Sequence, residues 1–469
     1  MKKTLLAAAA LFTAATSFAS VDVTPYATTN GITCENIWLN ARARNADDWN
    51  AYPFAEMYAK VRTATLLIDD ANAENNKILV GWSKTGPTGE TSADGTALTN
   101  DFATVGIINF GTGKWEKEVA LTCDGAPIAG LLCANQIGVD QYGHIYVGGY
   151  VATTETTPIR VYHVKDINTG ECELAAELQL PADESAATGR MDYFHVIGDV
   201  TGEENGAVFM CALADPAASP YVYRWRLDQG GTASDWYGDF DGYVAWDCSK
   251  LETYPVDQTS WGTAPVCTMI LTEDFAAENF YVDGFTTCPV IYNTSAGVVD
   301  GFMNAPSEYA PATGTNGVAE FNLGGKDFIA YSVAQYNATP GCQVRVAEIP
   351  ELAFSNMQSY WLLPEAGLGE TSDGGTRVHN VSTFIHTDAN GKQGCYLLTY
   401  KCNNGAGVYQ IAEEGYEPVY KAGVEGIIAD EVNAPAEYYN LQGVKVANPE
   451  NGLYIVKRGN KATKEVVVK

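Results

Sequence analysis

Few residues in this chain have the types and spacing that chemistry requires. Its 469 residues include five histidines, His144, His163, His195, His379 and His386, and none of them stands in an HExxH motif, in a pair at metal spacing or in a Cys/His cluster. The chain has no GxSxG elbow, no Walker loop and no GxGxxG between a strand and a helix. Asp239-Phe240-Asp241-Gly242 and Asp388-Ala389-Asn390-Gly391 begin like calcium loops but lack the alternating ligands closed by a glutamate, so they read as turns. One stretch stands apart: Asp235-Trp236-Tyr237-Gly238-Asp239-Phe240-Asp241-Gly242-Tyr243-Val244-Ala245-Trp246-Asp247, with Trp261 further along. Aromatic rings stack on the apolar faces of sugars and neighbouring carboxylates accept hydroxyl hydrogen bonds. Trp236, Tyr237, Asp239, Asp241, Tyr243, Trp246 and Trp261 are therefore the candidate ligand-binding residues, and packing of these rings between sheets is the competing reading. No catalytic residue, metal ligand or cofactor is assigned. A glycosidase needs two carboxylates at the right separation, but with 57 acidic residues some pair lies at that distance by chance.

Composition narrows the classes of partner. Lys+Arg number 28 against Asp+Glu 57, a formal charge of -29, and 46% of the residues are hydrophobic. Such a surface repels a polyanion, which argues against nucleic acid, and the apolar content excludes a disordered chain. Met1-Lys2-Lys3, the apolar run from Leu5 to Ala15 and Ser17-Phe18-Ala19 have the order of a secretory leader cleaved after Ala19. The first cysteine is Cys34, too late for a lipoprotein anchor, and no later run is apolar for the ~18 residues of a membrane span. The eleven cysteines are scattered; Cys123 and Cys133 are the most local pair, and several others sit in apolar runs where a thiol behaves as a small hydrophobe.

The elements that must position any site are strands. Ile137 to Val147 reads as a strand, a tight turn closed by Gly143 and a returning strand. Similar hairpins occur at Thr65 to Trp82, Val196 to Cys211, Val266 to Val282, Val318 to Tyr331 and Thr383 to Tyr400, a mean step of about 64 residues. A third strand follows each one, as in Arg160 to Val164 or Tyr221 to Trp225, and often a fourth. Four-stranded units repeated about an axis make a β-propeller, because each small sheet buries its faces on its neighbours. Six blades are expected, with a seventh irregular blade as the alternative and a pair of β-sandwiches as the competing fold. Long links, Lys84 to Asp101, Gly149 to Pro158, Ser234 to Ala264, Met303 to Asn316 and Gly367 to Asn380, fall where second strands lead to third strands or one unit leads to the next. Both kinds of link leave one face of the disk, which is where a ligand site is expected. Ile32 to Leu39 can add a strand to the last unit and close the ring.

The expected organisation is a leader over 1–19, an N-terminal segment over 20–62, the propeller over 63–422, a linker over 423–437 and a small β module over 438–469. The module holds three short strands, from Tyr438 to Val446, Gly452 to Val456 and Val466 to Lys469, and its charge turns basic. Tyr438-Tyr439-Asn440-Leu441-Gln442-Gly443-Val444-Lys445-Val446, Gly452-Leu453-Tyr454-Ile455-Val456 and the ending Lys464 to Lys469 resemble the C-terminal sorting domains of the type IX (Por) secretion system of Bacteroidota. That resemblance covers the last forty or so residues and implies secretion machinery as a partner, with a secreted or cell-surface destination and the periplasm as the alternative. Asn36-Ile37-Trp38, Gly138-Val139-Asp140 to Ile145-Tyr146, Arg160-Val161-Tyr162 and Tyr221-Val222-Tyr223-Arg224-Trp225 resemble a family of secreted Bacteroidota proteins with a propeller-like domain and no known activity. The functional reading is a non-catalytic secreted propeller that binds a glycan or a surface partner through its long-loop face. The alternatives are a propeller enzyme acting on polysaccharide, with Asp239, Asp241 or Asp247 as acids, and a structural protein-docking disk.

Overall fold

The computed structural model describes residues 26–57, 60–69, 75–130, 132–149, 151–152, 158–178, 190–214, 221–230, 244–248, 266–269, 279–284, 287–293, 298–301, 317–334, 337–372, 378–418, 437–439, 445–446, 452–458 and 461–467. The chain divides into two compact units, 1–417 and 418–469. Among the described residues no helix is long and apolar enough to cross a membrane.

The first unit opens with strand β1 (Ile32–Ala41) and a one-turn helix α1 (Ala46–Asn50). Six separate sheets follow among the described residues. The first holds β2 (Thr63–Leu67), β3 (Lys77–Thr91), β4 (Ala97–Asn109) and β5 (Trp115–Ala120) in that order. The chain next makes β6 (Thr122–Cys123), β7 (Ala126–Pro127), β8 (Gln136–Val139), β9 (Ile145–Gly148), β10 (Val151–Ala152), β11 (Ile159–Asp166) and β12 (Glu171–Leu178). The second sheet runs β8-β9-β11-β12-β6-β7. The third pairs β10 with β13 (Arg190–Gly198), followed by β14 (Ala207–Ala214), β15 (Tyr221–Leu227) and β16 (Val244–Asp247). The fourth is β17 (Val266–Met269), β18 (Asn279–Gly284), β19 (Thr287–Asn293) and β20 (Val298–Gly301). The fifth is β21 (Val318–Leu323), β22 (Lys326–Ala334), β23 (Gln343–Glu348) and β24 (Gln358–Leu363). The sixth is β25 (His379–Thr387), β26 (Gln393–Lys401), β27 (Gly405–Glu413) and then β1.

Sheets this small cannot bury two apolar faces alone, and each packs on the next. Val161, Leu178 and Tyr146 of the second sheet share one core with Phe194, Phe209 and Trp225 of the third. Val208 and Val222 of the third meet Phe280 and Tyr292 of the fourth, and Phe328 and Val346 of the fifth meet Leu397 and Ile411 of the sixth. The first strands touch in cyclic order: β2 on β8, β8 on β13, β13 on β17, β17 on β21, β21 on β25, and β25 back on β2.

The return from the sixth sheet to the first is built by the N-terminal segment. β1 pairs antiparallel with β27 from Ile32↔Glu413 to Ala41↔Gly405 and supplies the fourth strand. Trp38 on β1 donates its indole N–H to Phe110 O at 2.6 Å in the β4–β5 turn, and Asn40 donates to Gly113 O at 2.9 Å. Phe110 meets Tyr396 of β26 edge-on at 5.4 Å. Inside the ring, Asn380 Oδ1 accepts from Ala64 N at 3.1 Å and the Thr65 and Ser382 hydroxyls lie 3.3 Å apart. Past α1, Phe54 lies edge-on to Trp82 and Trp115 of the first sheet, at 6.2 Å and 5.7 Å.

Several features differ from the sequence reading. Residues 84–101, read as a long loop, extend β3 and β4 as an exposed two-stranded ribbon turning at Ser92–Thr96. A ribbon with water on both faces has no apolar alternation to reveal it. The 234–264 link contains β16 and so divides in two, because Val244 to Asp247 pairs with Tyr221 to Arg224. Cys123 is in register with Cys172 across the parallel β6–β12 pair rather than with Cys133, and all three are free thiols. In the second unit the sheet order is β29-β28-β30-β31, with β28 (Glu437–Tyr439), β29 (Lys445–Val446), β30 (Gly452–Arg458) and β31 (Lys461–Val467). Tyr438 to Val446 is thus a reversal, with Tyr438 opposite Val446, and not one strand. The last strand ends at Val467 and starts at Lys461, ahead of the expected Val466.

Gly113 sits at φ +65°, and a Cβ there would lie 2.6 Å from the Trp38 ring. Gly113→Ala combines a left-handed strain with a clash at the closing seam. It is expected to lower unfolding stability by roughly 2 kcal/mol, read from urea denaturation. An unchanged midpoint would show that the Trp38 seam does not hold the ring.

Candidate functional site

At the end of the sheets where the first strands begin, every sheet places a polar group near its neighbours. The most unusual is a bulge in β13: Met191 pairs with Leu213 and Phe194 with Cys211, so Asp192 and Tyr193 stand opposite Ala212 alone. Bulges re-aim side chains, and here two residues leave the pleat together. The Asp192 side chain is fully buried, and Arg62, just before β2, brings its Nη1 to 3.7 Å from Asp192 Oδ1. The same Nη1 donates to Asn135 Oδ1 at 3.3 Å, and Asn135 donates to Asp192 O. Gln136 accepts from Phe194 N at 2.9 Å and donates to Phe194 O, standing in for a strand partner just beyond the bulge. A guanidinium from the first sheet, an amide from the second and a carboxylate from the third form one cluster.

Tyr193 packs on Val378, the residue before β25. In the cyclic order of contacts the third and sixth sheets are three steps apart, so this contact crosses the ring. Lys401, at the end of β26, donates to Val378 O at 3.0 Å. The Tyr400 hydroxyl donates to Val61 O at 3.0 Å. Burial pushes the phenols of Tyr193 and Tyr400 up, so both stay protonated. On the fourth sheet Asp283 accepts from Gly317 N at 3.0 Å, which ties it to the fifth.

His379 is the titratable group whose surroundings most resemble a catalytic base. Its Nδ1 lies 3.3 Å from Ser332 Oγ and its Nε2 2.5 Å from Thr399 Oγ1. Burial, and then the Lys401 charge, push its pKa down to about 3. An imidazole that stays neutral and binds hydroxyls through both nitrogens is a weak proton acceptor, so the Ser332–His379 contact serves structure.

The opposite ends of the first strands carry a second kind of construction. Asp140 closes the β8–β9 hairpin, Oδ1 accepting from Tyr142 N and His144 N at 2.9 Å each, and Oδ2 from Val200 N at 2.8 Å in the next sheet. Asp388 repeats the clasp after β25, holding Asn390 N, Lys392 N and Glu417 N at 2.8 Å each. Asp140, His144 and Asp199 bring ligand-type atoms within 4.8 Å of one another. The carboxylates are already filled: Asp199 accepts from Thr201 N at 2.9 Å and from Glu204 N at 2.7 Å. These oxygens work as turn clasps between sheets rather than as a cation cage.

Of the sequence-predicted ligand residues, Trp236, Tyr237, Asp239, Asp241, Tyr243 and Trp261 lie outside the described residues. Trp246 is on β16, half-buried, with its ring 5.5 Å from Phe280 and the Arg224 guanidinium 5.1 Å above it. It packs against the core between the third and fourth sheets. Asp247 accepts from the Tyr221 hydroxyl at 3.2 Å. Sequence reasoning passed over Arg62, Asn135, Asp192, Tyr193 and Lys401; an aspartate inside the largely apolar Met191 to Ile197 run, which also holds His195, is the trace that Asp192 leaves.

No protein-family profile and no curated protein matches the chain. Among solved structures it is similar to a triple-arginine mutant of AofleA from Arthrobotrys oligospora, at 10% identity and TM-score 0.40 over 88% of this chain and 91% of that one. It is also similar to the soluble aldose sugar dehydrogenase of Escherichia coli, at 11% identity and TM-score 0.37 over 81% and 99%. A third similarity is to Trypanosoma rangeli sialidase, at 9% identity and TM-score 0.37 over 84% and 62%. At such values these likenesses speak for neither ligand nor reaction.

The depressed pKa of His379 carries a sign. The folded state refuses the proton that the unfolded chain accepts near pH 6.5, so this contribution is complete above pH 6.5 and is lost as pH falls towards 3. Between pH 6.5 and 4.5 wild type is expected to lose roughly 2 to 3 kcal/mol more than His379→Gln, measured by urea unfolding at each pH. Parallel pH profiles would show that His379 is not held neutral.

Proposed function

We propose that the six sheets are the blades of a β-propeller and that the protein binds a ligand without transforming it, at the end where the first strands begin. The carrying observation is the convergence there of Arg62, Asn135, Asp192, Asp283, His379 and Lys401, drawn from five of the sheets. Ser332, on the fifth sheet, completes the set through its contact with His379. Tyr193 and Val378 meet across the ring, so this end has a floor rather than an opening. A cluster of polar groups drawn from neighbouring sheets suits recognition of a hydroxyl-rich ligand, a glycan, or of a surface partner. Its titratable groups are spent on structure: Asp192 faces a guanidinium, and His379 is neutral with both nitrogens bound. The aromatic residues Trp236 to Tyr243 belong to the connection from β15 to β16 and Trp261 to the one from β16 to β17, which leave opposite ends of β16. We propose further that the protein is exported by its N-terminal leader, and that its C-terminal β unit acts as the sorting module it resembles.

A glycan array probed with the full chain, followed by a reducing-sugar assay on each hit, tests the reading. Binding without sugar release is expected. Release from any bound glycan overturns the non-catalytic reading, and absence of any bound glycan leaves a protein surface as the partner and overturns the glycan one.

A further inference from the structure

At the hairpin end of the second sheet, beside the third, two imidazoles meet. The β9–β11 pairing sets His163 opposite Tyr146 and brings the His144 and His163 rings to a centroid distance of 5.2 Å at 72°. Each ring is held by its Nδ1. His144 Nδ1 lies 3.1 Å from Asp140 Oδ2 and 3.1 Å from Asp199 Oδ1, two carboxylates with fully buried side chains. His163 Nδ1 lies 2.9 Å from Glu173 Oε1, its cross-strand partner on β12. Tyr142 stacks over the His144 ring at 6.4 Å and 13°, and its hydroxyl accepts from Asn205 at 3.1 Å, which limits how that ring can turn.

A carboxylate at Nδ1 fixes the proton there and leaves the lone pair on Nε2. Among the described residues no hydrogen-bonding partner meets the Nε2 of either ring. Both side chains reach solvent, His144 at 28% and His163 at 14%. A carboxylate behind a histidine that presents its other nitrogen is the supporting arrangement seen around protein-bound metals, since it orients the ring and makes the ligand more basic. Imidazole nitrogens suit zinc, copper and nickel rather than calcium or magnesium. Negative charge behind one ring and beside the other favours a cation between them.

We propose that His144 and His163 form a surface site for one divalent transition-metal ion, with Asp140, Asp199 and Glu173 as its supporting carboxylates and water in the remaining positions. The site stands apart from the polar floor and does not depend on the reading of that floor. Each Nε2 must offer its lone pair to hold the ion.

The test uses the full chain without a histidine tag. Isothermal titration with zinc chloride at pH 7.5 is expected to show one ion per chain. His144→Gln and His163→Gln should each weaken binding at least tenfold, and Glu173→Gln, which keeps both imidazoles, should weaken it by about tenfold through the lost orientation. With copper(II), the electron paramagnetic resonance spectrum of wild type should carry the splitting of two nitrogens, and that of His163→Gln the splitting of one. His163 and Glu173 face each other outside the hairpin clasp, so these two variants keep the reading separable from a folding defect. Equal zinc affinity in wild type and His163→Gln, or no uptake by wild type at about 100 μM zinc, would overturn the proposal.

Discussion

A four-stranded sheet has two apolar faces and two open edges, and everything in the first unit follows from the need to cover them. Each sheet covers its faces with the sheets before and after it, so the first and last members are exposed unless the chain returns to its start. The return is made by backbone pairing: β1 runs along β27 with nearly every residue in register and takes the outer edge of the sixth sheet. Trp38, Asn40 and Phe54 then turn from that strand onto the first sheet. The N-terminal segment therefore reinforces a closure that β25 and β2 also make directly. Loss of its pairing would uncover the face of two sheets and the edge of one.

Closing the cycle brings the starts of the first strands together, and polar groups collect there because backbone ends near the axis need partners. Arg62, Asn135 and Asp192 are tied together across three sheets, while Tyr193 reaches Val378 across the ring. At the other end of the strands the same pressure has a different solution. Asp140 and Asp388 each use one carboxylate to close a hairpin and to hold an amide beyond it. The two ends thus differ in kind: one holds a polar cluster shared across sheets, the other has hairpins pinned by aspartates. Ligand recognition is proposed for the first end on that ground.

Much of this is legible in the sequence. The hairpins Ile137 to Val147 and Thr383 to Tyr400 carry apolar alternation on both sides of a turn glycine, and their strands lie where that pattern puts them. Pairing between distant segments was harder to read. The ribbon at 84–101 is polar on both faces and so looks like a loop. β16 was hidden among aspartates and aromatics that also suit a sugar site. The β13 bulge depends on how many residues the partner strand offers, which β13 alone does not encode. His144 and His163 share a surface only because β9 and β11 pair, so neither spacing nor motif announces them.

Amide hydrogen exchange followed by mass spectrometry tests the closing role of β1 most directly. If β1 completes the sixth sheet and the cycle with it, peptides spanning Ile32 to Ala41 exchange as slowly as those spanning Gly405 to Glu413, and both follow global unfolding as urea is added. Exchange of Ile32 to Ala41 orders of magnitude faster than that of its partner strand would show that the six sheets hold together without it, and would contradict the account.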